Sequence, residues 1–400
     1  MIERTQRVES IESVERTLAT STEHNQLSRR RFLAVSGKYS FNVAVLASIG
    51  GYLWSDTAVA QTSADEEKKK KAATYTMTFA TEYKIEDVIK YPIMQAAFKE
   101  NIEKLSKGKM YVRLFPAGQL AVGAALAQRV QAGTVQGASL SLSNFSPYTK
   151  TVDLINIPYW CGENQKFANL VTSKTWNDDI TPKVTEKGFK PMFYFTTEPR
   201  TVSTRRGFGK VIKTPADVRG MKMRVPPSKL LQKLYRLMGA NPTVVAWGET
   251  ATAIKQGVAD GLDPSVTALA TFGFTDVLEN MTFVRTVPDA QMFAANAAYF
   301  KALSPEMQTV FEDASRMTQI QSFQQLAASR AEAMRQMTVG GCKFYVPTAD
   351  EFKLWVESCG EQRAEWNEDK IDLAGSLANF DRLKLAANTK GAITVADFQG

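Results

Sequence analysis

Very few residues in this chain could run catalysis. Among 400 residues there is a single histidine, His24, and three widely spaced cysteines, Cys161, Cys342 and Cys359. Histidine is the usual general base, the commonest metal ligand and the partner of serine and cysteine nucleophiles, so its near-absence removes most hydrolytic and metal chemistry. No CxxC or other zinc spacing occurs. The phosphate loop GxxxxGK[ST], a GxGxxG turn after a strand, the DxDxDG calcium loop and HExxH are also missing. The adjacent pair Asp178-Asp179 falls in a helical stretch and reads as a solvated face. The sequence therefore points to no catalytic residue, no metal and no cofactor.

Binding is a different matter. "KMRVPPS", residues 222–228, alternates Lys222 and Arg224 with Met223 and Val225, the pattern of a half-buried strand, and two prolines end it. Alternation alone leaves Arg224 facing either water or a site. In a site, its guanidinium is a rigid fork that matches a carboxylate through two parallel hydrogen bonds.

Strand and helix patterns alternate along the rest of the chain. "YTMTFAT" (75–81), "MYVRLF" (110–115), "VQGASLSLS", "FKPMFYF" and "TVVAW" read as strands. Residues 92–106, 164–187 and 228–238 read as helices, as do the stretches closed by Gly133 and Gly257. This alternation argues an α/β architecture. Thr214-Pro215-Ala216-Asp217 and Thr348 to Glu351 carry capping-box signatures. Ser304 and Pro305 open a helical pattern with no breaker before Gly340. Such a helix is about 50 Å long, enough to cross two domains.

The N-terminus reads as an address. "SRRRFL" precedes a mildly apolar stretch and then Ala58-Val59-Ala60, small residues at the −3 and −1 positions of a cleavage site. Arg29-Arg30 in this setting resembles the twin-arginine export signal, which makes residues 1–60 a signal peptide. Residues 61–73 are polar and of low complexity, and read as a disordered leader. The net charge of +8 is scattered along the chain and does not indicate nucleic acid. In an oxidising compartment the spacing would allow a Cys342–Cys359 bridge.

One ordered series remains: "FPAGQL" (115–120), "VQAGTVQGASLS" (130–141), "INIPY" (155–159), "PADVRGMKMRVP" (215–226), "MGANPTVVAWGETATAIKQGVADGLD" (238–263) and "LSPEMQTVFEDA" (303–314). In this order it resembles the substrate-binding proteins of tripartite ATP-independent periplasmic (TRAP) transporters over roughly residues 75–350. The resemblance implies a two-domain periplasmic-binding-protein-like α/β fold, with a ligand cleft between the domains and a long helix spanning both. It sets domain I at 74–199 plus 288–325 and domain II at 200–287 plus 326–385. It implies a periplasmic receptor, monomeric or dimeric, that captures a small organic acid and passes it to TRAP membrane permease subunits.

The resemblance also carries over site roles. Arg224 matches the arginine that pairs with the ligand carboxylate, and Arg200 in "EPRTVST" a second arginine of the cleft. Trp247 matches an aromatic residue against the ligand, and Asp263 an acidic position. Ser141 stands where some relatives have a ligand-contacting acid. Asn296 matches a recurrent asparagine near the hinge, and Trp160 would add an aromatic wall. Pro264 departs from the pattern, because relatives commonly have asparagine there and proline has neither N–H nor polar side chain. Large aromatics and few carboxylates suggest a bulkier, less hydroxylated acid. Two other readings compete: a periplasmic cofactor enzyme exported folded, which the missing histidine disfavours, and a receptor feeding an ATP-driven importer.

Overall fold

The computed structural model describes residues 65–84 and 94–395. The expected signal peptide lies outside these residues. Residues 65–72 are helical rather than the disordered leader expected of 61–73. Acidic residues at the start and lysines at the end complement the helix dipole. No helix among the described residues is long and apolar enough to cross a membrane.

From Lys69 onward the chain packs as one compact unit built on two mixed sheets. The first contains β1 (Tyr75–Thr81), β2 (Met110–Phe115), β3 (Gly137–Ser141), β4 (Phe189–Pro199) and β10 (Pro288–Asn296), in the order β2-β1-β3-β10-β4. β1 pairs parallel with β2 and β3, and β10 runs antiparallel between β3 and β4. Gly137 is required where β1 and β10 close on β3, since a Cβ there would meet Met77 Cε at 2.2 Å and the Ala294 carbonyl at 3.2 Å. One face of the sheet is an aromatic core: Phe293 stacks on Phe193 at 4.3 Å and on Phe79 at 5.0 Å. Such ring pairs add to what their buried area contributes.

The second sheet contains β5 (Val202–Arg205), β6 (Lys222–Val225), β7 (Asn241–Val244), β8 (Gly261–Leu262), β9 (Leu278–Thr282) and β11 (Lys343–Tyr345), in the order β11-β9-β5-β8-β6-β7. β6 pairs parallel with β7 and β8, so Arg224 lies opposite Thr243 on one side and Leu262 on the other.

The chain passes between the sheets at 199–202, between β4 and β5, and at 282–288, between β9 and β10. A third connection is the helix Pro305–Val339, 35 residues long. Ser304 caps it by accepting from the Met307 amide, and Pro305 occupies its first turn, as the sequence predicts. It packs on the helix Gln95–Leu105 and β4, and also on the helix Val266–Thr271 beside the second sheet.

Some expectations change. The pattern over 164–187 is three short helices, not one: Ser173 turns extended and caps the second by accepting from Trp176 N, and Pro182 starts the third. Thr214 to Asp217 forms its capping box around a single 3-10 turn. No Cys342–Cys359 bridge forms. All three thiols are free and buried, with Cys342 and Cys359 in separate hydrophobic clusters.

Two residues expected at the site have structural posts instead. Trp160 is 1% exposed; its indole N–H donates to the Leu154 carbonyl at 3.3 Å and its ring packs 5.0 Å from Phe380. Asn296 is the N-cap of the helix Ala297–Ala302, accepting from Tyr299 N at 2.9 Å. Its amide also donates to the Val130 and Gln131 carbonyls at 2.9 and 3.1 Å, at the end of the helix Gly123–Gln131. A helix-capping asparagine of this kind is worth about 1 kcal/mol, and its bonds to the second helix add to that. Asn296→Ala is expected to lower unfolding free energy by about 1–3 kcal/mol in a urea titration, with ligand affinity unchanged.

Candidate functional site

The "FPAGQL" segment explains how the first sheet presents its part of the site. Ala117 and Gly118 both take positive φ, 53° and 71°. This turn lets the Ala117 amide donate to Tyr83 O at 2.8 Å and the Gly118 amide to Thr81 O at 3.0 Å. A side chain at Gly118 would also meet Val122 Cγ1 at 2.6 Å. The turn thereby clamps the residues that follow β1, Glu82 and Tyr83, at the strand's C-terminal end.

Glu82 and Tyr83 face a cavity between the two sheets, with Ser141, Asp289 and Gln291 beside them on the first-sheet side. Arg200, Arg224, Trp247, Pro264 and Phe272 line the opposite wall. The space lies beyond the C-terminal ends of parallel strands β1, β3 and β6, where α/β sheets commonly bind ligands. It is a small space, with a cavity volume of ≈ 40 Å³. That is room for a few waters, at about 10–15 Å³ each.

Arg224 does not face water. It is 2% exposed, although Lys222 on the same strand is exposed. Its Nε and Nη2 donate to the Val245 carbonyl at 3.1 and 2.8 Å, and the guanidinium lies 5.1 Å from the centre of the Trp247 ring. Burial pulls its pKa down to about 10, partly countered by Asp263, so it stays cationic at neutral pH. Two contacts fix the plane of the fork and leave Nη1 and the second Nη2 hydrogen for an acceptor.

Arg200 behaves differently. Its Nη1 pairs with Asp263 at 2.9 Å and its Nη2 with Asp289 at 3.0 Å, and all three side chains are almost wholly buried. Burial works against the Arg200 charge, but the two carboxylates more than offset it. Burial pushes the Asp263 carboxyl up, against the pull of Arg200 and Arg224. Asp289 also accepts from Ser265 N at 2.9 Å. Thus Arg200 lines the cavity, and Asp263 lies behind it as its ion-pair partner.

Trp247 is half-buried, against Phe272 at 4.8 Å and Phe274 at 5.5 Å. Tyr83 reaches Phe272 from the opposite side at 4.9 Å, so this aromatic wall is continuous across the cleft. Ser141 lines the cavity, and its buried Oγ has no hydrogen-bond partner among the described residues. Arg224, Arg200, Trp247, Asp263 and Ser141 therefore converge, whereas Asn296 and Trp160 lie elsewhere.

Glu82, Tyr83, Asp289 and Gln291 were not singled out from the sequence. The signal for the first two was their place directly after the first parallel strand. Asp289 and Gln291 lie within β10, whose burial is complete and whose pattern gives no sign of a cavity. Glu82 is 7% exposed, and burial pushes its carboxyl up to about 7, against the Gly123 amide bond and the charge of Arg224. Among the described residues no cluster of three metal-ligating side chains occurs.

The model of bacterial extracellular solute-binding protein family 7 matches residues 86–369. The chain belongs to this family. The motif resemblance to TRAP substrate-binding proteins is thereby borne out. Among curated proteins, the chain is 24% identical over 211 residues to the 2,3-diketo-L-gulonate-binding periplasmic protein YiaO of Escherichia coli, covering 53% of this chain and 63% of that one. It is 24% identical over 264 residues to the C4-dicarboxylate-binding periplasmic protein DctP of Rhodobacter capsulatus, covering 66% and 78%. The matches span 63%, 54% and 64% of the first three relatives' lengths. Among solved family 7 folds, the sugar acid binding protein of Advenella mimigardefordensis, in complex with galactonate, superposes with a TM-score of 0.70 at 19% identity. It covers 79% of this chain and 98% of the other. A TRAP periplasmic solute binding protein of Sulfurospirillum deleyianum, with bound succinate, gives 0.68 at 19%, covering 80% and 100%. The two-domain α/β fold class is the one these relatives share.

Glu82 makes stability depend on pH. Its folded pKa, about 7, lies above the ordinary value of 4.5, so the folded state holds a proton that the unfolded chain has released. Stability from this group is full below about pH 4.5 and is lost as pH rises towards 7. Arg224, Arg200, Asp289 and Tyr83 line the same space. Glu82→Gln is expected to gain stability relative to wild type between pH 5 and 8 in urea titrations. A stability difference that stays constant with pH would contradict this.

Proposed function

We propose that this protein is an extracytoplasmic receptor that captures an organic acid through Arg224. The observation that carries the reading is the state of that side chain: buried, held cationic, oriented by Val245 and Trp247, with hydrogens left over at a cavity. A guanidinium held this way costs desolvation energy, which a ligand carboxylate repays through a charge-assisted pair in a low-dielectric cleft. Arg200 contributes indirectly. With both its amino groups on aspartates, it offsets one of their two charges and leaves Arg224 as the anion's partner.

In this reading the two sheets mark two lobes, which part to admit the ligand and close on it. The lobes follow 74–199 plus 288–325 and 200–287 plus 326–385. The helix Leu377–Asn388 moves to the first lobe, because it packs on the helix Asn164–Thr172. The crossings at 199–202 and 282–288 act as hinges. Glu198, just before the first, holds a φ of 96° and is braced by Arg330 of the long helix at 3.1 Å. The protein works in the periplasm, performs no chemistry on its ligand, and delivers it to a TRAP-type permease. The ligands named for relatives, sugar acids and C4-dicarboxylates, set the starting library.

The reading is tested by thermal-shift screening of that library, followed by titration calorimetry on the hits. A ligand at a hundredfold excess over its Kd is expected to add about 2.7 kcal/mol of stability. Arg224→Met is expected to weaken carboxylate binding by about 2–5 kcal/mol with the fold retained by circular dichroism. Unchanged affinity in that variant would remove Arg224 as the anchor.

A further inference from the structure

The charges and free hydrogen-bonding atoms of the cavity discriminate among carboxylates. Arg200 is spent on Asp263 and Asp289, so these three groups together carry a formal charge of −1. Arg224 brings the sum to zero, and ionised Glu82 returns it to −1. A monocarboxylate placed on Arg224 would lower it further, and a dicarboxylate further still. Like charges gathered in a largely buried space repel more strongly than in water.

The unpartnered atoms point the same way. Glu82 Oε2, Gln291 Oε1 and Asp263 Oδ2 are buried acceptors with no hydrogen-bond partner among the described residues. Glu82 and Gln291 line the cavity directly. Buried acceptors left unmade are costly, so a well-matched ligand supplies donors to them. Pro264 and Phe272, with the ring of Tyr83, offer apolar surface beside them, which suits the carbon skeleton between two polar ends.

We propose, resting on the receptor reading above, that Glu82 is a specificity-determining residue and that the ligand is a zwitterion: a monocarboxylate whose carboxylate sits on Arg224 and whose cationic N–H donor faces the Glu82 carboxylate. The zwitterion is neutral overall and leaves the charge of the cavity unchanged. Dicarboxylates are disfavoured because their second carboxylate meets Glu82 and Gln291 Oε1. The elevated pKa of Glu82 fits a carboxyl that waits for a cation and ionises fully against one.

The test is titration calorimetry of the full chain, freed of co-purified solute by unfolding and refolding, with solutes matched in skeleton and differing in the second end. Three classes are compared at pH 7.5: an amino acid carrying a distal ammonium, the corresponding plain monoacid, and the corresponding diacid. 4-Aminobutyrate, butyrate and succinate are one such set. Longer and cyclic sets extend the series. The zwitterion of the best-binding skeleton is expected to bind about tenfold or more tighter than its plain monoacid, and the diacid weakest. Glu82→Gln is expected to collapse the zwitterion advantage and improve diacid binding, while Glu82→Asp, which keeps the charge, retains the order. Acidification from pH 8 to 6 is expected to weaken the zwitterion, since protonated Glu82 no longer opposes the ammonium. If diacids or plain monoacids lead, or if Glu82→Gln leaves the ranking unchanged, the inference is wrong while carboxylate capture by Arg224 stands. If no carboxylate of any class binds, the carboxylate reading fails and takes this inference with it.

Discussion

The structure turns on one buried guanidinium. Arg200 sits where the chain crosses from the first sheet to the second, and its two amino groups reach Asp263 after β8 and Asp289 in β10. Asp263 belongs to the second-sheet side and Asp289 to the first. A single planar cation therefore ties both sheets at their junction. Removing Arg200 would leave two buried carboxylates without their cation, which is far more costly than the net worth of the pair. Around it, Thr197, Thr201 and Ser265 hydrogen-bond one another's segments: Thr197 Oγ1 lies 2.9 Å from Ser265 Oγ, and Thr201 Oγ1 donates to Pro264 O at 2.8 Å. The crossing is thus a polar seam built from short hydroxyl side chains and one arginine.

That arrangement sets the electrostatics of the site beside it. With both Arg200 amino groups paired to aspartates, Arg224 is the arginine of the cavity that is not bound to a carboxylate. Its orientation comes from an ordinary carbonyl and an aromatic face, and neither competes with a ligand for charge. The wall opposite contributes Glu82, held at the end of β1 by the turn at Ala117-Gly118. An acid and a base at facing ends of one small, largely apolar space is a recognition device for a molecule with two unlike ends.

Much of this was legible in the sequence, and the residues show why. Helix ends were readable wherever a local rule sufficed: Ser304 with Pro305, and Thr348 with Glu351, satisfy backbone donors within four residues of themselves. The role of Arg224 was visible only through its motif, since strand alternation allows a wet face and cannot report that β7 and the Trp247 turn cover it. Trp160 and Asn296 misled for a related reason. Their positions near familiar motifs suggested the cleft, but a tryptophan and an asparagine also suit core packing and helix capping, and long-range partners such as Phe380 and the Val130 carbonyl decide between those uses. Glu82 was missed because nothing local marks it. Its importance comes from burial beside a cation contributed by a strand more than a hundred residues away. The three-helix break over 164–187 was written in Ser173 and Pro182, both recognised stop or start signals, but outweighed by the apolar pattern around them.

The most direct measurement of the central claim is a crystal structure of the protein with a tight-binding acid in the cleft. The account predicts the ligand carboxylate within hydrogen-bonding distance of Arg224 Nη1 and Nη2, with Arg200 still paired to Asp263 and Asp289. A carboxylate bound to Arg200, or one lying away from both arginines while Arg224 keeps only its Val245 contact, would contradict it.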